Sequence, residues 1–288
     1  MKLIKKIIIF IIFIILTISL YSYFIEPYRF RTKEISFNDN IKESYDGLKI
    51  VHFGDINYNK KNKDILNKIK EEINLINPDL ILFTGDLINN KIDKDDIEIL
   101  TDFFNEMVSN YGKYSILGEN DYKDIDNVKL IYNNSNFILL DNNYDTIYNK
   151  NNDKIFIGGY NTKEYKPEVI NKYLIDNKDE YYKIILLHEP DYIDSVINSN
   201  INLALSGHSL HGQINIPYLK VKKDGSKKYT NDYYEINNTK LYITNGIGLD
   251  NLNIRLNNIP SINFYRINKI LHYLILMSYF SYIFVIII

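Results

Sequence analysis

Hydrophobic and polar positions form blocks along the chain, and the first block predicts a membrane helix. Residues Ile4 to Phe24 are nearly all apolar, close to the roughly 20 residues that cross a bilayer as a helix. Lys2, Lys5 and Lys6 precede the bilayer-spanning core and favour a cytoplasmic N-terminus, with the rest of the chain outside the membrane. A cleaved signal peptide is the alternative, but no small-residue cleavage pattern follows the block.

The last block, Ile270 to Ile288, is also almost wholly apolar. Its length allows a second membrane span, and a tail packed on the domain or the membrane surface is the alternative. We therefore divide the chain into a cytoplasmic tip with membrane anchor (1–26), a linker (27–46), one catalytic domain (47–267) and the apolar tail or second span (268–288).

Between these ends, short apolar runs of strand length alternate with longer amphipathic segments. Helical spacing of Ile65, Leu66, Ile69, Ile73 and Ile76 predicts a helix over 64–76, and a second is predicted over 95–108. This alternation predicts an α/β fold with a largely parallel, helix-covered sheet. The predicted strands are Leu48–Phe53, Leu80–Thr84, Tyr114–Leu117, Phe137–Leu140, Lys154–Ile157, Lys183–Leu187, Ile201–Leu205, Leu241–Thr244 and Ile262–Ile267.

Five of these strands end in residues that can bind metal. Ligands in open α/β sheets lie outside the carboxyl ends of the strands, so these residues are expected to converge. Oxygen and imidazole donors without thiolate suit Mn, Zn or Fe. A lone Asp or Asn here is typical of a helix cap, but His is not. The candidates are Asp55, Asn57, Asp86, Glu119, Asn120, Asp121, His188, His208 and His211.

Composition narrows the class of protein further. The chain has no Cys, which excludes disulfide scaffolds, zinc–thiolate sites and cysteine nucleophiles. It has 34 Lys and Arg against 36 Asp and Glu, a net charge of −2. That balance argues against a dedicated nucleic-acid binder, which carries a basic excess.

The order of these motifs resembles the calcineurin-like metallophosphoesterases, in particular a bacterial branch with an N-terminal membrane anchor. That family carries Asp-x-His, Gly-Asp, Gly-Asn-His-Asp, an isolated His and Gly-His-x-His in this order. The corresponding segments are Asp55-Ile-Asn57, Gly85-Asp86, Gly118-Glu-Asn-Asp121, His188-Glu-Pro190 and Gly207-His-Ser-Leu-His-Gly-Gln213. The resemblance implies a four-layer αββα sandwich with a two-metal site.

By this resemblance, Asp86 bridges two divalent ions. Asp55 and Asn57 belong to the first ion, whereas Glu119, His188 and His208 belong to the second. Asn120 and Asp121 occupy the catalytic motif. A hydroxide between two such ions attacks phosphorus in line, while the ions neutralise the phosphoryl charge.

Several positions depart from the family pattern. The family's histidines are replaced by Asn57, Asn120 and Leu210, and its asparagine by Glu119. Most losses fall on the first ion, so we expect a firm second site and a weak or absent first site, and His211 is a hypothetical replacement ligand. Asn120 cannot protonate a leaving group, a loss that ordinarily costs about 10²–10⁴-fold in rate.

These patterns predict an extracytoplasmic, membrane-anchored phosphoester hydrolase. The resemblance favours a phosphodiester or pyrophosphate of a lipid or envelope precursor, with the membrane as a partner and no nucleic acid. The alternative is an impaired family member that binds metal or a phosphorylated ligand without turnover.

Two further features carry weaker predictions. His52 lies inside a strand and is expected to be a hydrogen-bonded core histidine. The lysines between 220 and 228 predict a solvated hairpin, with contact to anionic headgroups as the alternative.

Overall fold

We describe the fold from a computed structural model, which covers residues 2–60, 63–161, 163–176, 181–196, 200–216, 219–220, 222–250 and 252–270. Its described helices are α1 (Lys2–Phe24), α2 (Lys63–Ile76), α3 (Lys94–Asn105), α4 (Ile125–Asn134) and α5 (Glu168–Asp176). Its described strands are β1 (Arg31–Asp39), β2 (Leu48–Phe53), β3 (Leu80–Phe83), β4 (Gly112–Ser115), β5 (Phe137–Leu139), β6 (Asn143–Tyr148), β7 (Lys154–Tyr160), β8 (Tyr182–Leu187), β9 (Leu203–Ser206), β10 (Asn215–Ile216), β11 (Leu219–Lys220), β12 (Tyr233–Ile236), β13 (Thr239–Ile243) and β14 (Ser261–Lys269).

Two six-stranded sheets form the centre of the domain. The first has the order β1-β14-β2-β3-β4-β5, and the second has the order β12-β13-β9-β8-β7-β6. Strands β2 to β5 run parallel to each other, as do β7, β8, β9 and β13. The antiparallel partners lie at or near the ends, where β14 pairs with β2, β6 with β7, and β12 with β13.

Side-chain alternation along the strands builds three apolar layers. In β2, Ile50 enters the layer between the two sheets, whereas its neighbour Val51 faces α2, α3 and α4. Of the apolar residues predicted for α2, Ile65, Leu66, Ile69 and Ile73 are buried in that outer layer, and Ile76 is partly buried against it. On the far side of the second sheet, Phe156 and Ile185 pack with Ile170 of α5. The four-layer αββα sandwich is thus confirmed.

The segment expected to be a linker, 27–46, contains a full strand. Strand β1 lies parallel to β14 with Arg31 opposite Ser261 and Asp39 opposite Lys269, so it extends the edge of the first sheet. The sequence did not predict this strand because an edge strand is half exposed, so many of its residues are polar. Its partner also lies more than 200 residues away, where a local pattern gives no signal.

Helix α1 stands apart from the domain. It spans 23 residues, about 35 Å at 1.5 Å per residue, and is long and apolar enough to cross a membrane. All its described side chains except Tyr21 and Ser22 are exposed. The predicted second span or apolar tail (268–288) lies, from residue 271 onward, outside the part of the chain that the structure describes.

The end of α1 is bonded to a loop that also supports the strand ends. The Arg255 backbone N–H donates to Ser22 O at 3.0 Å, and the Asn258 backbone N–H donates to the Glu26 carboxylate. In the same loop, the Gly248 N–H donates to Asp55 O at 2.7 Å. The loop therefore connects the helix end directly to the residues that follow β2.

Arg255 is the fully buried centre of this loop, and its replacement should be strongly destabilising. Its guanidinium donates to the carbonyls of Asn245 (3.0 Å), Asn258 (3.1 Å) and Gly248 (2.6 Å). Arg255→Met leaves three buried carbonyls without a donor, which we expect to cost about 3 kcal/mol or more in the free energy of unfolding. Chemical unfolding of the detergent-solubilised protein measures this.

Arg266→Met is the matched control for this prediction. The Arg266 side chain is 41% exposed and lies 3.9 Å from Glu34, so its loss should stay within about 0.5 kcal/mol. Equal stability of the two variants would show that the Arg255 hydrogen bonds contribute little.

Candidate metal centre

The carboxyl ends of five strands meet at one edge of the two sheets. The first sheet contributes Asp55 after β2, Asp86 after β3 and Asn120 after β4, and the second contributes His188 after β8 and His208 after β9. Oxygen and nitrogen atoms of Asp55, Asp86 and His188 all lie within 4.8 Å of one another, and the three side chains are buried. This group, called here the inner group, has the spacing and donors of a metal site.

Hydrogen bonds orient the imidazoles of the two histidines. His188 Nδ1 lies 2.7 Å from Thr84 O, so that nitrogen carries the proton and Nε2 faces the inner group, 3.5 Å from Asp86 Oδ2. His208 Nδ1 lies 3.2 Å from His188 Nε2, and the His208 backbone N–H donates to Asp55 at 3.0 Å. A carbonyl on one ring nitrogen is the arrangement that prepares a histidine for metal binding through the other.

The backbone at these strand ends adopts conformations that most residues avoid. Asp55, Asn57, Asp86 and His208 all have positive φ, between 44° and 64°. Such residues cost on the order of 1–3 kcal/mol each and are concentrated at functional sites. Gly85, at φ 87°, lets the loop after β3 approach the loop after β4, because a side chain there would collide with the backbone of 117–118.

Asp121, predicted to be catalytic, instead holds these loops together. Its buried carboxylate accepts the backbone N–H groups of Asp86 (3.0 Å), Leu87 (2.8 Å) and Gly118 (2.9 Å). Because both of its oxygens are used in this way, the geometry gives Asp121 a positioning role. Burial, together with the nearby Asp86 charge, raises its pKa to about 7.

A second set of potential ligands, called here the outer group, lies at the mouth of the site. It consists of Glu119, Glu189 and His208, whose ligand atoms also lie within 4.8 Å of one another. Glu189 was not predicted, although its place directly after His188 was a usable signal. His188 Nε2 lies 3.5 Å from Asp86 Oδ2 and 3.2 Å from His208 Nδ1, so His188 links the two groups.

Lys223 accounts for the position of Glu119. Its ammonium lies 2.7 Å from Glu119 Oε1 and 3.2 Å from Asp250 Oδ2. Burial acts to lower the pKa of Lys223, but the hydrogen bond to Glu119 raises it above its ordinary value. Sequence reasoning assigned this lysine to a solvated hairpin, and only the fold brings it to the site.

The two asparagines that replace family histidines bond to each other. Asn120 Nδ2 donates to Asn57 Oδ1 at 3.1 Å and to Asp86 Oδ2 at 2.8 Å. The Asn120 backbone N–H also donates to Asp86 Oδ1 at 2.8 Å. Asn57 therefore lies at the edge of the inner group with its amide oxygen already used.

His211 belongs to neither of the two ligand groups found among the described residues. Leu210 is buried and lies against Gly246, beside Asp55, whereas His211 Nδ1 lies 2.9 Å from Asp232 Oδ1. The role of His211 as a replacement ligand therefore stays a prediction.

His52 behaves as the predicted core histidine. It is fully buried, with Nδ1 3.3 Å from Tyr265 Oη and Nε2 3.1 Å from Thr84 Oγ1. Burial lowers its pKa to about 3, which keeps the ring neutral.

The charges of the inner group are tightly linked. Burial raises the pKa of Asp55 to about 7, a shift that His188 opposes and Asp86 strengthens. Burial also acts to raise the pKa of Asp86, but the charge and hydrogen bond of His188 lower it to about 2. Burial acts to lower the pKa of His188, yet Asp86 raises it to about 10.

Burial and the positive His188 lower the pKa of His208 to about 4, which leaves it neutral. Without metal, a positive His188 compensates the buried carboxylates, and it must lose its proton to bind a metal ion.

The comparisons with known proteins agree with this geometry. The family model for calcineurin-like phosphoesterase matches residues 48–212, which include every member of both groups. The chain belongs to the calcineurin-like phosphoesterase family. It is 27% identical to the metallophosphoesterase YkuE of Bacillus subtilis over 86% of this chain and 89% of that protein.

Two other members of the family are also similar along most of the chain. The metallophosphoesterase YkoQ of Bacillus subtilis is 22% identical over 90% of this chain and 100% of its own length. The UDP-2,3-diacylglucosamine pyrophosphatase LpxG of Chlamydia trachomatis is 25% identical over 68% of this chain and 74% of its own length. Calcineurin-like phosphoesterases use divalent metals, and the inner and outer groups supply suitable ligands.

Proposed function

We propose that the protein is a metal-dependent phosphoester hydrolase held at the membrane by α1, with its catalytic domain outside the cytoplasm. The observation that carries this proposal is the inner group, which gathers two buried carboxylates and an imidazole at the end of the sheets. Burying that many ionisable groups is costly unless an ion or proton compensates them. The family's use of divalent metals supplies the compensation.

The residues present fit a divalent ion of the Mn, Zn or Fe type. Asp55, Asp86 and His188 would hold it in the inner group, with His208 beside them. When bound, such an ion lowers the pKa of water and neutralises charge on the phosphoryl oxygens. The sequence placed the firm site at the second ion, with Glu119, His188 and His208. From the structure we infer instead that the firm site is the inner group, because its ligands are buried and oriented, whereas Glu119 of the outer group is 44% exposed.

The chain's own residues bear on the remaining steps of hydrolysis. Water adds to phosphorus, the bond from phosphorus to the leaving oxygen breaks, and that oxygen finally takes a proton. Asn120 lies at the inner group but carries an amide, which donates a hydrogen bond without transferring a proton. We therefore infer a preference for leaving groups that are stable as anions, such as aryl esters and diphosphates.

The substrate class we propose is a phosphodiester or pyrophosphate of a lipid or envelope precursor. Two observations support it. The relative LpxG is named as a pyrophosphatase of a diacylated sugar nucleotide. In addition, the loop containing Gly248 and Arg255 joins the end of the apolar helix to the segment after β2, which keeps the site near the helix end.

A metal-dependence assay tests the proposal. The full chain in detergent, stripped with a chelator, should not hydrolyse bis(p-nitrophenyl) phosphate, and Mn²⁺ should restore hydrolysis. The blank is the stripped protein in Mg²⁺-free buffer that still contains the chelator. Absence of turnover on aryl esters and diphosphates under Mn²⁺, Zn²⁺ and Fe²⁺ would sink the proposal.

The second candidate is a family member that binds metal or a phosphorylated ligand without turnover. The hydrogen bond between Asn57 and Asn120 favours it, because two positions that hold histidine in the family are paired with each other here. Metal binding without hydrolysis in the assay above would support this candidate.

A further inference from the structure

We propose that the Lys223 ammonium takes the second cation position of the site, so that the chain binds one divalent ion and Lys223 contacts the phosphoryl group. This inference rests on the proposed function, since it assigns Lys223 a substrate contact in the same site. It is carried by the position of Lys223 between Glu119 and Asp250, at 2.7 Å and 3.2 Å.

The loop that carries Lys223 is packed onto the outer group. His208 Nε2 lies 2.6 Å from Asp224 O, so this ring nitrogen is used by the loop. Gly225 has φ 81°, and a side chain there would collide with the Glu189 carboxylate. The Asp191 backbone N–H, just after Glu189, donates to Gly225 O at 2.9 Å. These contacts hold Lys223 at the mouth of the site.

The surroundings of the outer group carry an excess of negative charge, and one ammonium compensates part of it. Glu119, Glu189 and Asp250 contribute three carboxylates, and among the described residues Lys223 is the lysine that makes ion pairs with this set. The Lys223 side chain is 27% exposed, so most of it is buried while its charge stays at the site mouth. A divalent ion bound to Glu119 would have to displace this ammonium, because two cations in one place repel each other.

An ammonium in this position can also bind phosphate. It has three N–H donors, of which two point to Glu119 and Asp250, leaving one for a phosphoryl oxygen. Lysine commonly binds phosphate as a point charge. Beside the inner group, Asn57 and Asn120 are neutral amides, so Lys223 is a positive charge that these two positions do not supply.

Ion counting on the full chain tests the proposal. The detergent-solubilised protein is stripped with a chelator and titrated with Mn²⁺ in a calorimeter, and bound Mn is counted after desalting. We expect one ion per chain for the wild type. Lys223→Met should bind two, because Glu119, Glu189 and His208 are then free of the ammonium. Lys222→Met, which removes the exposed neighbouring lysine, should still bind one.

Phosphate binding gives a second readout that requires no turnover. With one Mn²⁺ per chain, inorganic phosphate should bind Lys223→Met about tenfold or more weakly than the wild type. Lys223→Arg should retain most of the affinity, which also shows that the variant loop folds. Lys222→Met should match the wild type.

Three results would overturn the proposal. Any one of them is enough: two tightly bound ions in the wild type, a single ion in Lys223→Met, or a phosphate affinity of Lys223→Met equal to that of the wild type. The wild-type ion count needs no variant, so it decides even where Lys223→Met fails to fold. Since neither readout depends on hydrolysis, a chain that turns over no ester would contradict the proposed function while these measurements still decide the role of Lys223.

Discussion

Asp86→Asn is expected to abolish hydrolysis and tight metal binding. Asp86 Oδ2 lies 3.5 Å from His188 Nε2, and this carboxylate belongs to the inner group with Asp55. Removing its charge weakens the hold on a divalent ion and on the activated water. We expect kcat/KM on bis(p-nitrophenyl) phosphate to fall by at least about 10³-fold, equivalent to roughly 4 kcal/mol.

The asparagine variant is chosen because it preserves shape. Its side-chain oxygen can still accept the Asn120 backbone N–H that Asp86 Oδ1 accepts at 2.8 Å. Circular dichroism should therefore still show the wild-type fold, whereas the midpoint of thermal unfolding should fall, because the new amide NH2 faces the Asn120 Nδ2 donor that Asp86 Oδ2 accepts at 2.8 Å. Asp95→Asn, an exposed carboxylate in the first turn of α3, is the control and should leave activity unchanged. An active Asp86→Asn with a full metal complement would remove the inner group from the mechanism.

Asn120→His is expected to change which esters the protein hydrolyses. In the wild type, the Asn120 amide donates to Asp86 and Asn57 and has no proton to give to a leaving oxygen. Aryl phosphodiesters should then react much faster than alkyl ones. A histidine at this position adds a titrating donor, so the aryl-to-alkyl rate ratio should shrink by about 10²–10⁴-fold.

Asn120→Gln is the matched control, because it keeps the amide and adds no transferable proton. Its aryl-to-alkyl ratio should stay close to that of the wild type. The measurement is kcat/KM for a p-nitrophenyl diester and an alkyl diester of similar size, with Mn²⁺ saturating. Equal wild-type rates on both substrates would contradict the missing-acid argument. An Asn120→His protein with the same aryl-to-alkyl ratio of kcat/KM as the wild type would show that this side chain does not reach the leaving group.

Local patterns predicted most of the strands because buried parallel strands are short, apolar and flanked by turns. Leu48–Phe53 matches β2 at both ends, and the predicted helix over 64–76 differs from α2 by one residue. Helices α4 and α5 and the strands β1, β6 and β12 were missed. These strands are edge or near-edge elements with half-exposed faces, and their pairing partners are decided by the whole fold.

The candidate site shows the same division between local and distant information. Residue types at strand ends identified Asp55, Asp86, His188 and His208, because parallel strands bring their carboxyl ends to one edge. The sequence could not predict the direction in which these side chains point. Leu210 rather than His211 lies beside Asp55, and Asp121 accepts hydrogen bonds from backbone N–H groups. Lys223 was missed because nothing in its neighbourhood in sequence distinguishes it from the exposed Lys222.

What the sequence by itself determined is the long apolar helix, the largely parallel, helix-covered sheet and the set of strand ends that carry candidate metal ligands, whereas the four αββα layers were implied by the family resemblance. The first three follow from short-range periodicity and from the types of residue at the ends of strands. Only the tertiary structure decided how those candidate ligands divide into an inner and an outer group, and that Lys223 pairs with Glu119. Those outcomes depend on distances between residues more than 100 positions apart, such as Glu119 and Lys223, and on the direction in which each loop turns its side chains.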